Sequence, residues 1–188
     1  MRVLGISGSL RRGSLNGALL RTAAERLPAG VELVPFERLA EIPPFDEDAE
    51  AGPAPDAVRA LREAMRDADA VLIATPEYSR SLPGQLKNAL DWASRPSGES
   101  ALSGKPAAAI GASKSMFGGV WAQAELRKVM GAMGGRVVEA ELAVARAHDQ
   151  LRDGALELTP EQGERLEEII AGLVASAEDL AASEAVAA

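Results

Sequence analysis

The run Gly8-Ser9-Leu10-Arg11-Arg12-Gly13-Ser14-Leu15-Asn16 follows the apolar stretch Val3-Leu4-Gly5-Ile6. It crowds two hydroxyls, a carboxamide and two guanidiniums into the turn from a strand to a helix. The first N–H groups of a helix have no intrahelical partner and point outward. Together with Ser9, Ser14, Asn16 and a charge-assisted bond from Arg11 or Arg12, they suit a phosphate. A polar surface loop whose serine caps a helix is the plainer reading of the same residues. A second cluster, Thr75-Pro76-Glu77-Tyr78-Ser79, follows the apolar run Ala70–Ala74. Pro76 and Pro83 bound it, so its backbone is stiff, and it offers backbone polar groups and the only tyrosine of the chain. That combination suits a flat heterocycle, although Tyr78 alone fits a core or interface position equally well. The third stretch, Gly111 to Gly119, is polar and glycine-rich. Its Ser113 is either a ligand contact or part of a helix-entry turn.

Other chemistries lack their residues. Neither Gly-x-Gly-x-x-Gly nor Gly-Lys-Ser/Thr occurs in the first loop, which argues against a Rossmann dinucleotide site and a Walker phosphate site. There is no cysteine and a single histidine, His148. A thiol nucleophile, a disulfide framework, an iron–sulfur cluster and a histidine-rich metal site are thereby excluded. The net charge of -8 disfavours nucleic acid and anionic membranes as partners. No signal peptide or membrane-length apolar run is visible, so a cytoplasmic protein is expected.

Alternating apolar runs and helical patterns position these clusters. Strands are expected at Val3–Ser7, Val31–Val34, Asp69–Thr75, Pro106–Ala112 and Val137–Val144. Helices are expected at Leu15–Leu27, from Asp56 as N-cap through Arg66, at Gly84–Ala93, at Gly119–Met133, and from Thr159-Pro160-Glu161 to about Leu180. Phe36–Pro55 reads as a long surface loop and Pro96–Ser103 as a turn. Trp92 reads as a packing or subunit-contact residue and His148 as a surface side chain. One domain over residues 1–180 with a frayed tail at 181–188 follows. Strands alternating with helices imply a three-layer α/β/α architecture. Five of them fit a flavodoxin-like doubly wound parallel sheet of order 2-1-3-4-5. In that order the loops after strands one, three and four meet at one sheet edge, where ligands bind.

Three stretches resemble the NADPH-dependent FMN reductase family, which includes bacterial quinone, chromate and azo-dye reductases. They are Gly8–Asn16; Thr75–Ser79 with Pro83-Gly84-x-Leu86-Lys87-Asn88-Ala89-Leu90-Asp91-Trp92; and Gly118-Gly119 followed by Leu126-Arg127. The resemblance covers roughly Val3 to Val144. It implies bound FMN, with Ser9, Leu10, Arg11, Ser14, Leu15 and Asn16 around the phosphate. It places Pro76, Glu77, Tyr78 and Ser79 along the isoalloxazine, with Ser113 nearby. It also implies NADPH or NADH as reductant, a small-molecule electron acceptor such as a quinone, and a homodimer or homotetramer with the flavin near the subunit interface. No side-chain acid or nucleophile is required, and no metal. Two positions depart from the pattern. Ser79 stands where the family usually has Asn, and Lys114-Ser115-Met116-Phe117 is bulkier than in many relatives. Lys114 could attract an anionic substrate or the NADPH phosphate, or be a lysine with no role. Three other readings stay open: a flavin reductase supplying reduced FMN to a partner monooxygenase, a flavodoxin-type electron carrier, and a flavin-free phosphate-binding module.

Overall fold

The structure is a computed structural model that describes residues 1–187. In chain order the elements are β1 (Arg2–Ser7), α1 (Leu15–Ala24), β2 (Glu32–Pro35), the short α2 (Glu47–Glu50), α3 (Asp56–Asp67) and β3 (Ala70–Ala74). They continue with α4 (Gly84–Ala93), β4 (Pro106–Ala112), α5 (Val120–Ala132), β5 (Arg136–Val137), β6 (Ala143–Val144), β7 (Leu151–Arg152), β8 (Ala155–Leu156) and α6 (Pro160–Ala187). The main sheet is parallel, of order β2-β1-β3-β4-β5, with β6 continuing the edge beside β4. This is the doubly wound order expected from the alternation of elements.

The central strands are apolar without interruption because both of their faces are covered. Successive side chains of β3 enter opposite cores: Val71 and Ile73 pack with Leu86, Leu90, Trp92 and Leu126 of α4 and α5. Leu72 packs with Leu19 of α1 and with Leu166 and Ile169 of α6. Helices α3, α4 and α5 cover one face and α1 and α6 the other, and the β1, β3 and β4 ends are held in register by Ser7 opposite Ala74 and Ala74 opposite Ile110. That register brings the three polar loops together at one edge.

The structure departs from the sequence expectations in four places. The segment Phe36–Pro55 is not a plain surface loop. It carries a 3-10 turn at Leu39–Glu41 and α2, and it buries Leu39 and Ile42. Polar side chains of α4 pin it down: Gln85 Nε2 donates to the Leu39 and Ile42 carbonyls, and both Asn88 Nδ2 and Trp92 Nε1 donate to the Pro43 carbonyl at 2.8 and 2.9 Å. Trp92 is thus a packing residue, 1% exposed. Second, Asp56 does not cap α3. Pro55 takes the N-cap position, and the Asp56 carboxylate instead pairs with Arg59 one turn on.

Third, the expected strand Val137–Val144 is broken. Ala107 faces Val137 and Gly111 faces Ala143, so four steps along β4 are matched by six along the edge and two residues are extra. The bulged residues include Glu139 and Glu141, whose carboxylates turn to Arg127, while Arg165 Nε donates to the Glu141 carbonyl. These partners hold the segment off the ladder. Fourth, α6 opens as expected on a Thr159–Gln162 capping box but runs through Ala187, beyond Leu180. The tail expected to fray is helical that far, and Ala188 lies outside the described residues.

Candidate functional site

Gly8 lets the first loop approach the second. A Cβ there would sit 2.8 Å from Leu86 Cδ2 and 3.2 Å from Pro76 Cδ, and the Gly8 N–H donates to the Ala74 carbonyl at 2.8 Å. Ser14 then caps α1, its Oγ accepting from Gly17 N–H at 3.0 Å. The Ser14 hydroxyl also lies 3.4 Å from Ser7 Oγ, and the first-turn N–H groups of Leu15 and Asn16 are left for a ligand. Ser9 Oγ accepts from Arg11 N–H at 3.4 Å and shapes the loop tip. Arg11 and Arg12 are exposed and form no ion pair among the described residues.

Asn16 does different work from the donor role the sequence suggested. It is buried, its Nδ2 donates to the Ala112 carbonyl, and its Oδ1 accepts the Ala112 N–H, both at 2.9 Å. One carboxamide thereby ties the start of α1 to the end of β4, across 96 positions of sequence. The second Nδ2 hydrogen is what remains for a ligand.

The second loop ends in a two-residue turn. Tyr78 and Ser81 exchange both backbone hydrogen bonds, and Ser79 and Arg80 between them have φ of 53° and 62°. Two left-handed residues in succession make a type I′ turn, a conformation Asn accepts more readily than Ser. Ser79 therefore stands at the exposed tip. Glu77 reaches away from the turn: its Oε2 accepts the N–H groups of Trp121 and Ala122 at 3.0 and 3.2 Å. Gly119, at φ 86°, takes the N-cap position of α5 without a side-chain bond, so Glu77 supplies from 44 residues away the cap that the local sequence lacks. In the third loop Ser113 Oγ and Ser115 Oγ are 3.0 Å apart, and Ser113 N–H donates to the Val144 carbonyl.

These three loops enclose a cleft of about 210 Å³. Ser9, Arg11, Ser14, Leu15, Asn16, Pro76, Glu77, Tyr78 and Ser113, all expected at a cofactor site, line it. Ala112 and Lys114 line it too. Nothing in the Ala112 side chain announces such a role; its position at the end of a central strand was the available signal. Leu10 and Ser79 are not on this wall. Leu10 is 55% exposed and faces a larger neighbouring cavity.

The donor set fits FMN. The phosphate end has an unpaired arginine, two serine hydroxyls and a helix N-terminus. The rest of the lining comes from Pro76, Glu77 and Tyr78 of the second loop and from Ala112, Ser113 and Lys114 after β4. Around its mouth lie exposed apolar side chains. Tyr78 is 52%, Met116 81% and Phe117 57% exposed, the Phe117 and Trp121 rings meet at a tilt of 60° with centroids 4.9 Å apart, and the Arg80 guanidinium lies 5.0 Å from the Trp121 ring centre.

The family described as NADPH-dependent FMN reductase matches residues 1–149. An NAD(P)H-dependent FMN reductase from Pseudomonas aeruginosa is 50% identical over 130 residues, 69% of each chain. A quinone reductase from Escherichia coli (strain K12) is 41% identical over 131 residues, again 69% of each. Among solved structures, a flavoenzyme NAD(P)H:(acceptor) oxidoreductase from Paracoccus denitrificans superposes with a TM-score of 0.81 at 32% identity, covering 95% of this chain and 97% of that one.

Proposed function

The chain belongs to the NADPH-dependent FMN reductase family, and we propose that it is an FMN-dependent NAD(P)H oxidoreductase that passes electrons to quinone-like, azo or metal-oxyanion acceptors. One observation carries the reading. The loops after β1, β3 and β4 bring an unpaired arginine, two serine hydroxyls and the α1 N-terminus into one cleft with Pro76, Tyr78 and Ala112. FMN, when bound, supplies the two-electron relay between NAD(P)H and the acceptor. The chain's own residues bind and orient it.

Arg11 and the α1 N-terminus neutralise the phosphate, with Ser9 and Ser14 adding hydroxyl donors. Asn16 fixes the phosphate loop to the end of β4. Glu77 fixes the ring-side loop to α5. Its carboxylate is engaged there as the α5 cap. Among the described residues Tyr78 is the only aromatic on the wall, which favours this reading over the two-sided aromatic sandwich of an electron carrier. The exposed Tyr78, Met116, Phe117 and Trp121 around the mouth support a homodimer or dimer of dimers that covers them. A cytoplasmic location is part of the proposal. Among the described residues no helix is long and apolar enough to cross a membrane.

Steady-state oxidation of NADPH by the FMN-loaded protein, with and without a 1,4-benzoquinone, tests the reading. Quinone-dependent turnover with retained flavin supports it. NADPH oxidation that requires added free FMN and ignores quinone would assign the protein to the flavin-supplying class instead.

A further inference from the structure

On the other side of the phosphate loop lies a second cavity of about 530 Å³, between α1 and the end of β2. Ser9, Arg11 and Ser14 line both spaces, so the loop is a shared wall and the two open into one surface. The floor of the second cavity is apolar: Leu33, Pro35, Phe36 and Leu39. Its rim is cationic. Arg11, Arg12 and Arg21 face it against a single carboxylate, Glu37. Arg21 Nε is held on the Gly154 carbonyl at 2.7 Å, which fixes the side chain and leaves its other guanidinium nitrogens to the cavity. One phosphate in the first cleft is served by Arg11 and the α1 N-terminus. Arg12 and Arg21 are then surplus positive charge beside an apolar floor of a size that takes a ligand fragment.

We propose that this cavity binds the adenosine of NADPH, with its 2′-phosphate between Arg12 and Arg21, and that these two residues set the preference for NADPH over NADH. The inference rests on the oxidoreductase reading above. A nicotinamide stacked on the flavin of the first cleft must lay its pyrophosphate somewhere, and the shared wall at Ser9 and Arg11 joins that cleft to the second cavity. The apolar floor takes the flat base, and the paired guanidiniums take the phosphate that NADH lacks. Leu10, exposed on this side of the loop, covers the ligand between them.

The test uses the FMN-loaded protein and adenosine 2′,5′-bisphosphate as probe, with 5′-AMP as comparison, by calorimetry at low salt. The bisphosphate is expected to bind at least about tenfold more tightly than 5′-AMP, the scale of one charge-assisted contact. Arg12→Ala is expected to reduce that ratio toward one. Ala24→Trp, which fills the cavity from an exposed position on α1, is expected to weaken both ligands. In steady state, Arg12→Ala should lower the NADPH/NADH ratio of kcat/KM about tenfold, which distinguishes the dinucleotide from a free adenosine phosphate. Equal binding of the two probes, indifference to Arg12→Ala, or displacement of FMN by the bisphosphate would overturn the proposal. Failure of the oxidoreductase reading itself shows separately, as flavin that NADPH does not reduce.

Discussion

Replacing Asn16 by Ala removes two hydrogen bonds at once and strands both backbone groups of Ala112. Each of those bonds is 2.9 Å, buried and made to a main-chain group that has no water to turn to. At about 1–2 kcal/mol for each buried group left unpaired, the loss is about 2–4 kcal/mol. For a chain of this length a loss of that size lowers the unfolding midpoint by about 5–15 °C. Asn16→Asp sharpens the test. The new carboxylate still accepts the Ala112 N–H, but its second oxygen faces the Ala112 carbonyl with no proton between them. Burial and that carbonyl hold the introduced carboxyl above the usual carboxylate range. A raised folded-state pKa means stability that is present at low pH and lost as pH rises through the folded value. The deficit relative to wild type should therefore be largest at neutral pH and shrink on acidification. Thermal unfolding followed by circular dichroism from neutral to mildly acidic pH measures both. An Asn16→Ala midpoint within about 2 °C of wild type, or an Asp deficit that does not change with pH, would refute the tie between α1 and β4.

Three further outcomes follow from the site. Glu77→Gln keeps one acceptor for the α5 N–H groups but removes the charge, and should cost about 1 kcal/mol in urea unfolding, with FMN affinity weakened several-fold through the loosened second loop. Gly118→Ala should be far more damaging. Gly118 has φ 60°, and a Cβ there would lie 2.5 Å from the Ala143 carbonyl carbon, so little folded protein is expected by analytical gel filtration. Arg11→Ala should raise the Kd for FMN about tenfold at low salt, measured by flavin fluorescence quenching, and the gap to wild type should narrow as salt screens the phosphate contact.

The fold was legible because the signals that set it are local and repeated. Uninterrupted apolar runs such as Ala70–Ala74 and Pro106–Ala112 mark strands covered on both faces, and Pro83 and Thr159-Pro160 mark helix starts. Where the structure departs, a distant partner decides. The Phe36–Pro55 segment has no strong pattern of its own; Gln85, Asn88 and Trp92 on α4 order it from outside. The break in the last strand depends on Arg127 and Arg165, which no local pattern in Val137–Val144 reveals. The cleft residues were legible for the same reason the fold was: they sit where strands end. Their roles were less so. Asn16 and Glu77 line the cleft, and only the folded chain shows that each also binds backbone, at Ala112 and at the α5 N-terminus. Ser79 departs from the family pattern at an expected ring contact, and its left-handed backbone at the turn tip gives the position a conformational meaning as well.

The central claim is that the loops after β1, β3 and β4 hold an FMN that NAD(P)H reduces. Anaerobic addition of NADPH to the purified FMN-loaded protein, followed in the visible spectrum, tests it most directly. The account predicts that the flavin bands bleach within seconds and that a quinone added next restores them, with Arg11→Ala retaining less flavin. A protein that takes up no FMN, or whose flavin bands NADPH leaves unchanged, would contradict it.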